Sequence, residues 1–521
     1  MILEELSDSI RASTYITITS LEDGAQQRLD ARSLPQWNNS SAYFNGDAVV
    51  IELHVAPGDS AVFFRINAVS FGEAYIDTAL KKTITQCGFN DDRTTWFDQA
   101  VGRIVPAGCT GWIVSNGAHL TAGHCVGVNM DILEFNVPPS DPDGSINHPD
   151  PDDQYPIEAN SIVWNDDGIG EEGDDWAVFA CNPNSNTGLL PVQAQLAFYR
   201  MSRDSSPSDV QVTGYGVDFE PAGDPGGPCQ NYDCAGNNDC NSNSQTQQTE
   251  SGSYNREDVQ GPADVVIEYR VDTECGNSGS PVIVASAFLA MGIHTNGGCG
   301  IFFGNNAGTG FENNDLEAAI QDFPGSNVTY ADKAHPVTLE DGTVLRPYDT
   351  IGEAVSAVSS SGTISAVTGY YNEFMTISKA MTITAPVGVV TIGASGPSAS
   401  VQQYADTKAE VVQETDPSIP TVYSLSPSYP NPFNPITTLR FGLPGYAEVT
   451  LVVYNLLGRE VVRLADGPLG AAYHQVVWHG RDSNGREVPS GLYIARIIAR
   501  PTGEGRQASS FTQSVKMVLL R

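Results

Sequence analysis

Short runs in which apolar and polar residues alternate dominate the chain, and a period of two predicts strands rather than helices. In the first 86 residues, positions 48–55 and 60–66 alternate this way between Gly, Asp and Pro turns, which predicts an N-terminal β domain or pro-region over 1–86. From 87 to 325 many short strands and Gly-rich turns follow. They close on Asn314-Asp315-Leu316-Glu317-Ala318-Ala319-Ile320, a pattern for a capped terminal helix. Over 326–400 a short helical pattern after Pro347-Tyr348-Asp349-Thr350-Ile351 precedes three alternating runs, 363–367, 375–383 and 387–392. Their even spacing predicts one or two coils of a right-handed parallel β-helix, too short to stand without neighbours. Residues 401–418 read as a linker, and 419–521 alternate strands with turns in the manner of a β-sandwich.

Composition narrows the partners. The 521 residues carry 62 acidic and 26 basic side chains, a net charge of −36, which repels phosphate backbones and anionic lipid heads, so nucleic acid is excluded as a partner. No run of 18 apolar residues exists, so no transmembrane segment is predicted. All nine Cys fall between Cys87 and Cys299, which predicts a disulfide framework outside the cytoplasm. Cys229, Cys234 and Cys240 lack the paired knuckles and later His of a zinc module, so no metal is expected there. The start of the chain has no basic segment followed by an apolar stretch, whereas a secreted protein needs one; the natural N-terminus is therefore expected to have been trimmed or its start misassigned.

Three local motifs carry chemistry. Leu120-Thr121-Ala122-Gly123-His124-Cys125 places His124 after an apolar strand, where a bond between Cys109 and Cys125 would pin its loop. Asp174-Asp175-Trp176-Ala177-Val178-Phe179 sets a carboxylate directly before a buried strand; Asp175, next to the strand, is preferred over Asp174. Cys275-Gly276-Asn277-Ser278-Gly279-Ser280-Pro281 supplies a Ser in a Gly-flanked turn, whose Gly276 and Ser278 N–H groups are candidates to hold an oxyanion. A nucleophile, its base and a group orienting the base are what acyl transfer needs.

These residues, in the order His, Asp, Ser, resemble the chymotrypsin-like serine proteases, and more narrowly the bacterial glutamyl endopeptidase branch represented by the staphylococcal V8 protease. The narrower likeness rests on Asp91-Asp92-Arg93-Thr94, Cys109-Thr110-Gly111, Asp272-Thr273, the Ser278 turn and Gly292-Ile293-His294. The resemblance implies a mainly β fold, with a double β-barrel protease domain and terminal helix over 87–325. It implies peptide or protein substrates, a Cys109–Cys125 disulfide and a second pairing of Cys275 with Cys299. It also implies Glu recognition by Thr273 and His294, the latter as an imidazolium or hydrogen-bonding ring. Asp272 offers the competing reading, cleavage after Arg or Lys. Animal digestive enzymes carry an Asp immediately before the nucleophile to pair with a freed amino group; Asn277 stands there, so activation by that ion pair is not expected.

The tail, with Tyr429-Pro430-Asn431-Pro432-Phe433-Asn434-Pro435, Val488-Pro489-Ser490-Gly491-Leu492-Tyr493 and the terminal Lys516-Met517-Val518-Leu519-Leu520-Arg521, is similar to the C-terminal sorting domain of type IX secretion cargo. That implies the type IX machinery as a partner and a secreted or cell-surface location. A non-catalytic adhesion protein on a protease barrel and a polysaccharide-active β-helix are the competing classes. No cofactor is expected; the loops Asp141-Pro142-Asp143-Gly144 and Asn165-Asp166-Asp167-Gly168 could bind calcium but lack EF-hand spacing and read better as solvated turns.

Overall fold

The computed structural model describes residues 2–4, 13–59, 62–70, 86–87, 91–141, 145–166, 172–203, 207–217, 243–284, 289–299, 304–323, 325–336, 339–373, 375–393, 412–413, 423–425, 428, 437–445, 447–455, 459–469, 472–478, 480–481, 486, 488–489, 491–501 and 511–519. The Cys229, Cys234 and Cys240 insertion, the expected linker apart from the strand Val412–Gln413, Tyr429 to Pro435, and residues 142–144 and 167–168 of the Asp-rich loops lie outside the described residues. The chain divides into two compact units, Met1–Gly396 and Pro397–Arg521.

Two antiparallel sheets make the centre of the first unit. One is seven-stranded, in the order Gln154–Pro156, Met130–Glu134, Val101–Pro106, Cys109–Ile113, His119–Thr121, Trp176–Phe179 and Val163–Asn165. An antiparallel bridge between Ile157 and Cys181 curls its ends toward each other around Ile104, Ile113, Leu133, Phe135 and Phe179. In the other sheet, Pro281–Val284, Asp209–Gly214, Gln248–Gly261, Asp264–Arg270, Asn306–Gly310 and Leu289–Asn296 pair in sequence, and the last pairs back with the first to close a barrel. Val210, Val212, Ile267, Tyr269 and Val282 fill it. The double-barrel expectation is met.

A third apolar cluster joins the two sheets. Trp112, Leu120, Trp176 and Val178 from the first pack with Tyr215, Ile283, Ala290 and Ile293 from the second, and with Leu316 and Ile320 of the helix Asn314–Gln321. Burying side chains of this size contributes about 1.5–3 kcal/mol each, enough to fix the strand ends against one another. Asn313 caps that helix by accepting from the N–H groups of Asp315 and Leu316, as the sequence pattern implies.

The N-terminal residues form a three-stranded sheet of Gln26–Asp30, Tyr15–Ser20 and Val49–His54, whose Ile16, Ile18, Leu29 and Trp37 share a cluster with Val105 and Ile132 of the first barrel. The strand expected over 60–66 instead covers Arg65–Ala68. The β-helix pattern is present: Val328–Ala331, Thr363–Ala366 and Thr382–Thr384 pair in parallel, as do Gly369–Tyr371 and Val390–Ile392. It is supported by the double-barrel region, where Val328, Tyr330, Val344 and Leu345 complete the cluster around Ile320, and Arg200 grips Asp332. The second unit has two four-stranded sheets around Leu439, Phe441, Val449, Leu451, Trp478, Tyr493 and Ile497, a β-sandwich.

Candidate active site

His124 follows the His119–Thr121 strand in a 3₁₀ turn, and Asp175 immediately precedes Trp176–Phe179, its antiparallel neighbour. Strand pairing therefore delivers the two side chains to the same edge. Asp175 Oδ1 accepts from the His124 backbone N–H at 2.9 Å, and Oδ2 lies 2.6 Å from Nδ1 of the ring. One carboxylate thus fixes both the loop and the imidazole. Thr309, from the second barrel, braces Asp175 by donating to its carbonyl at 2.9 Å. Asp174 turns elsewhere: its Oδ1 accepts from Trp176 Nε1 and Asn313 Nδ2, both at 2.9 Å, which is a structural role.

The Ser278 turn is gripped from both barrels. Thr110 N–H donates to Ser278 O at 2.9 Å, Thr110 Oγ1 donates to Gly276 O at 2.8 Å, and Trp112 Nε1 donates to Gly279 O at 3.0 Å. The Cys109–Cys125 disulfide is present and links the residue before Thr110 to the residue after His124. Gly279, at φ +89°, lies so close to the His124 loop that a Cβ would come within 2.2 Å of Thr121 Oγ1. Gly276, at φ +97°, would place a Cβ 2.4 Å from Tyr215 O. Any L side chain at either position distorts the turn. The N–H groups of Asn277, Gly279 and Ser280 bond to Glu274 O, His294 O and Asn277 O. Those of Gly276 and Ser278 have no hydrogen-bond partner among the described residues.

The three predicted pocket residues have different surroundings. His294 lies on Leu289–Asn296, with its N–H on Ser280 O and its carbonyl on Gly279 N–H, so the strand is clamped to the turn. Its ring is buried, and Nδ1 sits 2.6 Å from the Tyr269 hydroxyl. Burial, reinforced by nearby His124 and opposed by Asp175, pulls the ring down to about 3. Of the two forms that the resemblance allows, burial favours the neutral, hydrogen-bonding ring. Thr273 is fully buried, its Oγ1 accepting from Asn306 Nδ2 at 2.9 Å. The two carboxylate oxygens of Asp272 accept the N–H groups of Cys87 at 2.6 Å and Asp92 at 2.8 Å.

One pairing is corrected. Cys299 bonds to Cys87, at a Cα separation of 4.8 Å, and not to Cys275, which is disulfide-bonded as well. Cys87 is brought there by the bond its N–H donates to the Asp272 carboxylate, a tertiary contact that no local spacing announces. Cys181 is a free, buried thiol.

Two residues outside the predicted site bear on it. Arg93 is buried in an ion pair with Asp91 at 2.6 Å, and its Nη2 donates to Val217 O, whose residue in turn donates its N–H to Cys275 O at 2.7 Å. Tyr269 stands behind His294. Arg93 belongs to the Asp91-Asp92-Arg93-Thr94 segment already singled out in the sequence, whereas Tyr269 is one aromatic residue in an alternating strand, with nothing nearby to mark its hydroxyl.

A family model described as Trypsin matches residues 87–305. No curated protein is similar enough to this chain to be matched. Among solved structures, the chain is similar to a thermostable serine protease, AL20, from an extremophilic microorganism, at 14% identity over 42% of this chain and 95% of that one, with a TM-score of 0.29. It is similar to the scabies mite inactivated protease paralogue S-I1 at 16% identity over 43% and 93%, TM-score 0.29. It is also similar to latent PorU from Porphyromonas gingivalis at 18% identity, TM-score 0.16, over 19% of this chain and only 9% of that protein's length. The matched region, 87–305, is a trypsin-like serine protease domain.

Proposed function

We propose that the chain is a secreted serine endopeptidase in which Ser278 is the nucleophile, His124 its general base and Asp175 the group that orients and balances the ring. The reading rests above all on the Asp175 carboxylate, which bonds to both the backbone and the ring of His124 beside a turn with two N–H groups that have no partner among the described residues. Ser278 Oγ adds to the scissile carbonyl carbon while its proton passes to His124 Nε2. The resulting oxyanion is held by the N–H groups of Gly276 and Ser278. The imidazolium then protonates the leaving amine and the C–N bond breaks, leaving an ester on Ser278. Water, deprotonated by the same ring, hydrolyses that ester and restores the free hydroxyl.

Cleavage after Glu, secondarily Asp, is the favoured specificity. Thr273 and His294 offer a hydroxyl and an imidazole suited to a carboxylate, while the Asp272 oxygens that an Arg or Lys side chain would seek already bond to backbone N–H groups. The adhesion reading is weaker because a binding module has no use for a carboxylate buried against a histidine ring. We further assign the tail, 419–521, to export through the type IX machinery on the motifs it resembles.

Ser278→Ala provides the test. The parent should be labelled by a fluorophosphonate probe and should cut a mixed peptide library after Glu; the variant should lose labelling and several orders of magnitude of turnover. Undiminished labelling of the variant refutes the assignment.

A further inference from the structure

The pocket ring has a residue behind it that decides what it can recognise. Tyr269 lies on Asp264–Arg270 and is fully buried, and its hydroxyl has two neighbours. His294 Nδ1 is at 2.6 Å and Ala307 O at 3.4 Å. A phenol has one proton. If it goes to Nδ1, the neutral ring carries its own proton on Nε2; if it goes to Ala307 O, Nδ1 carries the ring proton and Nε2 is a bare acceptor. The 2.6 Å contact is a hydrogen bond in either arrangement; only the first leaves Nε2 a proton with which to meet a carboxylate, as the proposed function requires. Nε2 has no hydrogen bond among the described residues and, unlike Nε2 of the buried His119, is not sealed away from solvent. It is the atom left to meet a ligand.

We propose that Tyr269 is a specificity-positioning residue: its hydroxyl donates to Nδ1 of His294 and so holds Nε2–H as a fixed donor toward the substrate side chain. This deepens the proposed function and rests on it. The consequence is selection by hydrogen-bond acceptance rather than by a positive charge. Glu is taken best, because a charged acceptor makes the stronger bond. Gln, whose amide oxygen accepts in the same place, comes second by about tenfold, and side chains that offer only donors, Lys and Arg, are rejected.

The experiment uses the full-length chain and Tyr269→Phe, which removes the hydroxyl and keeps the ring. Matched fluorogenic peptides with Glu, Gln, Ala or Arg before the scissile bond are compared by kcat/KM. The variant should lose about tenfold to a hundredfold on Glu and Gln, with the Ala peptide and fluorophosphonate labelling unchanged. Retained Glu selection in Tyr269→Phe overturns the inference while leaving the endopeptidase reading intact. A parent chain that prefers Arg overturns the specificity reading and the inference together. Nitrogen chemical shifts of ¹⁵N-histidine-labelled parent protein give an answer that does not depend on the variant's folding: protonated Nε2 and bare Nδ1 for His294 are expected, and the reverse tautomer refutes the proposal.

Discussion

The proposed recognition of Glu by His294 as a neutral donor, rather than as a cation, is tested by the pH dependence of selectivity. A drop from 6.5 to about 3 corresponds to about 5 kcal/mol for charging the ring in its buried place. A substrate carboxylate about 4 Å away, at the effective dielectric of about 20 that suits such sites, returns about 4 kcal/mol. The return falls short of the cost, so the neutral ring is the form expected to meet Glu. The assay is the ratio of kcat/KM for a Glu peptide over its Ala counterpart from pH 7 to 9. Titration of His124 affects both peptides alike and cancels in that ratio. A flat ratio is expected. A ratio falling tenfold per pH unit across that window means that an imidazolium binds Glu, and refutes the neutral-donor account.

Glu134 is fully buried between Arg103, at 2.7 Å, and His148, also at 2.7 Å, which together hold its carboxyl below the ordinary value against the upward push of burial. Its contribution to stability is present above the unfolded value and is lost as pH falls through the folded one. Glu134→Gln strands the Arg103 charge and should cost about 3–5 kcal/mol in denaturant titration at pH 7; an unchanged midpoint refutes this. Deleting residues 419–521 should leave an enzyme with parental kcat/KM that accumulates inside its native host, and normal secretion of the shortened protein contradicts the sorting assignment.

The parts of the site that were legible in the sequence are those whose environment is local. His124 and Asp175 each abut an apolar strand, and antiparallel pairing of those two strands is enough to bring them together. The choice of Asp175 over Asp174 also follows from the strand, since the residue next to Trp176 faces the His loop while Asp174 bonds to the indole and to Asn313. What was not legible depends on contacts far apart in the chain. Cys87 and Cys299 are separated by 212 residues, and only the bonds that draw Cys87 onto Asp272 make them neighbours. The charge state of His294 follows from its burial among Tyr269, His124 and Asp175, none of which lies next to it in sequence.

Asn277 leaves open what braces the Ser278 turn, and residues 86–87 and 91–95 supply an answer from within the chain. Cys87 is bonded to Cys299, the N–H groups of Cys87 and Asp92 hold Asp272, and Thr94 and Thr95 pair with Thr249 and Gln248. Arg93 reaches Val217, which holds Cys275 O, the first residue of the turn. A Cβ on Gly216 would meet both Arg93 Nη1, at 2.4 Å, and Asn277 Oδ1, at 2.8 Å, so the guanidinium and the amide crowd the same backbone position. A permanent cation delivered by these residues therefore stands where Asn277 can form no ion pair with a freed chain end. Replacing both members of the pair, Asp91→Asn with Arg93→Gln, avoids stranding a buried charge and tests the bracing by itself. A turn that wanders loses oxyanion stabilisation, and one misplaced donor costs about a hundredfold or more; partial loosening should lower kcat by about tenfold with KM little changed. Parental kcat in a double variant that binds and folds normally would show that the turn holds its shape without Arg93.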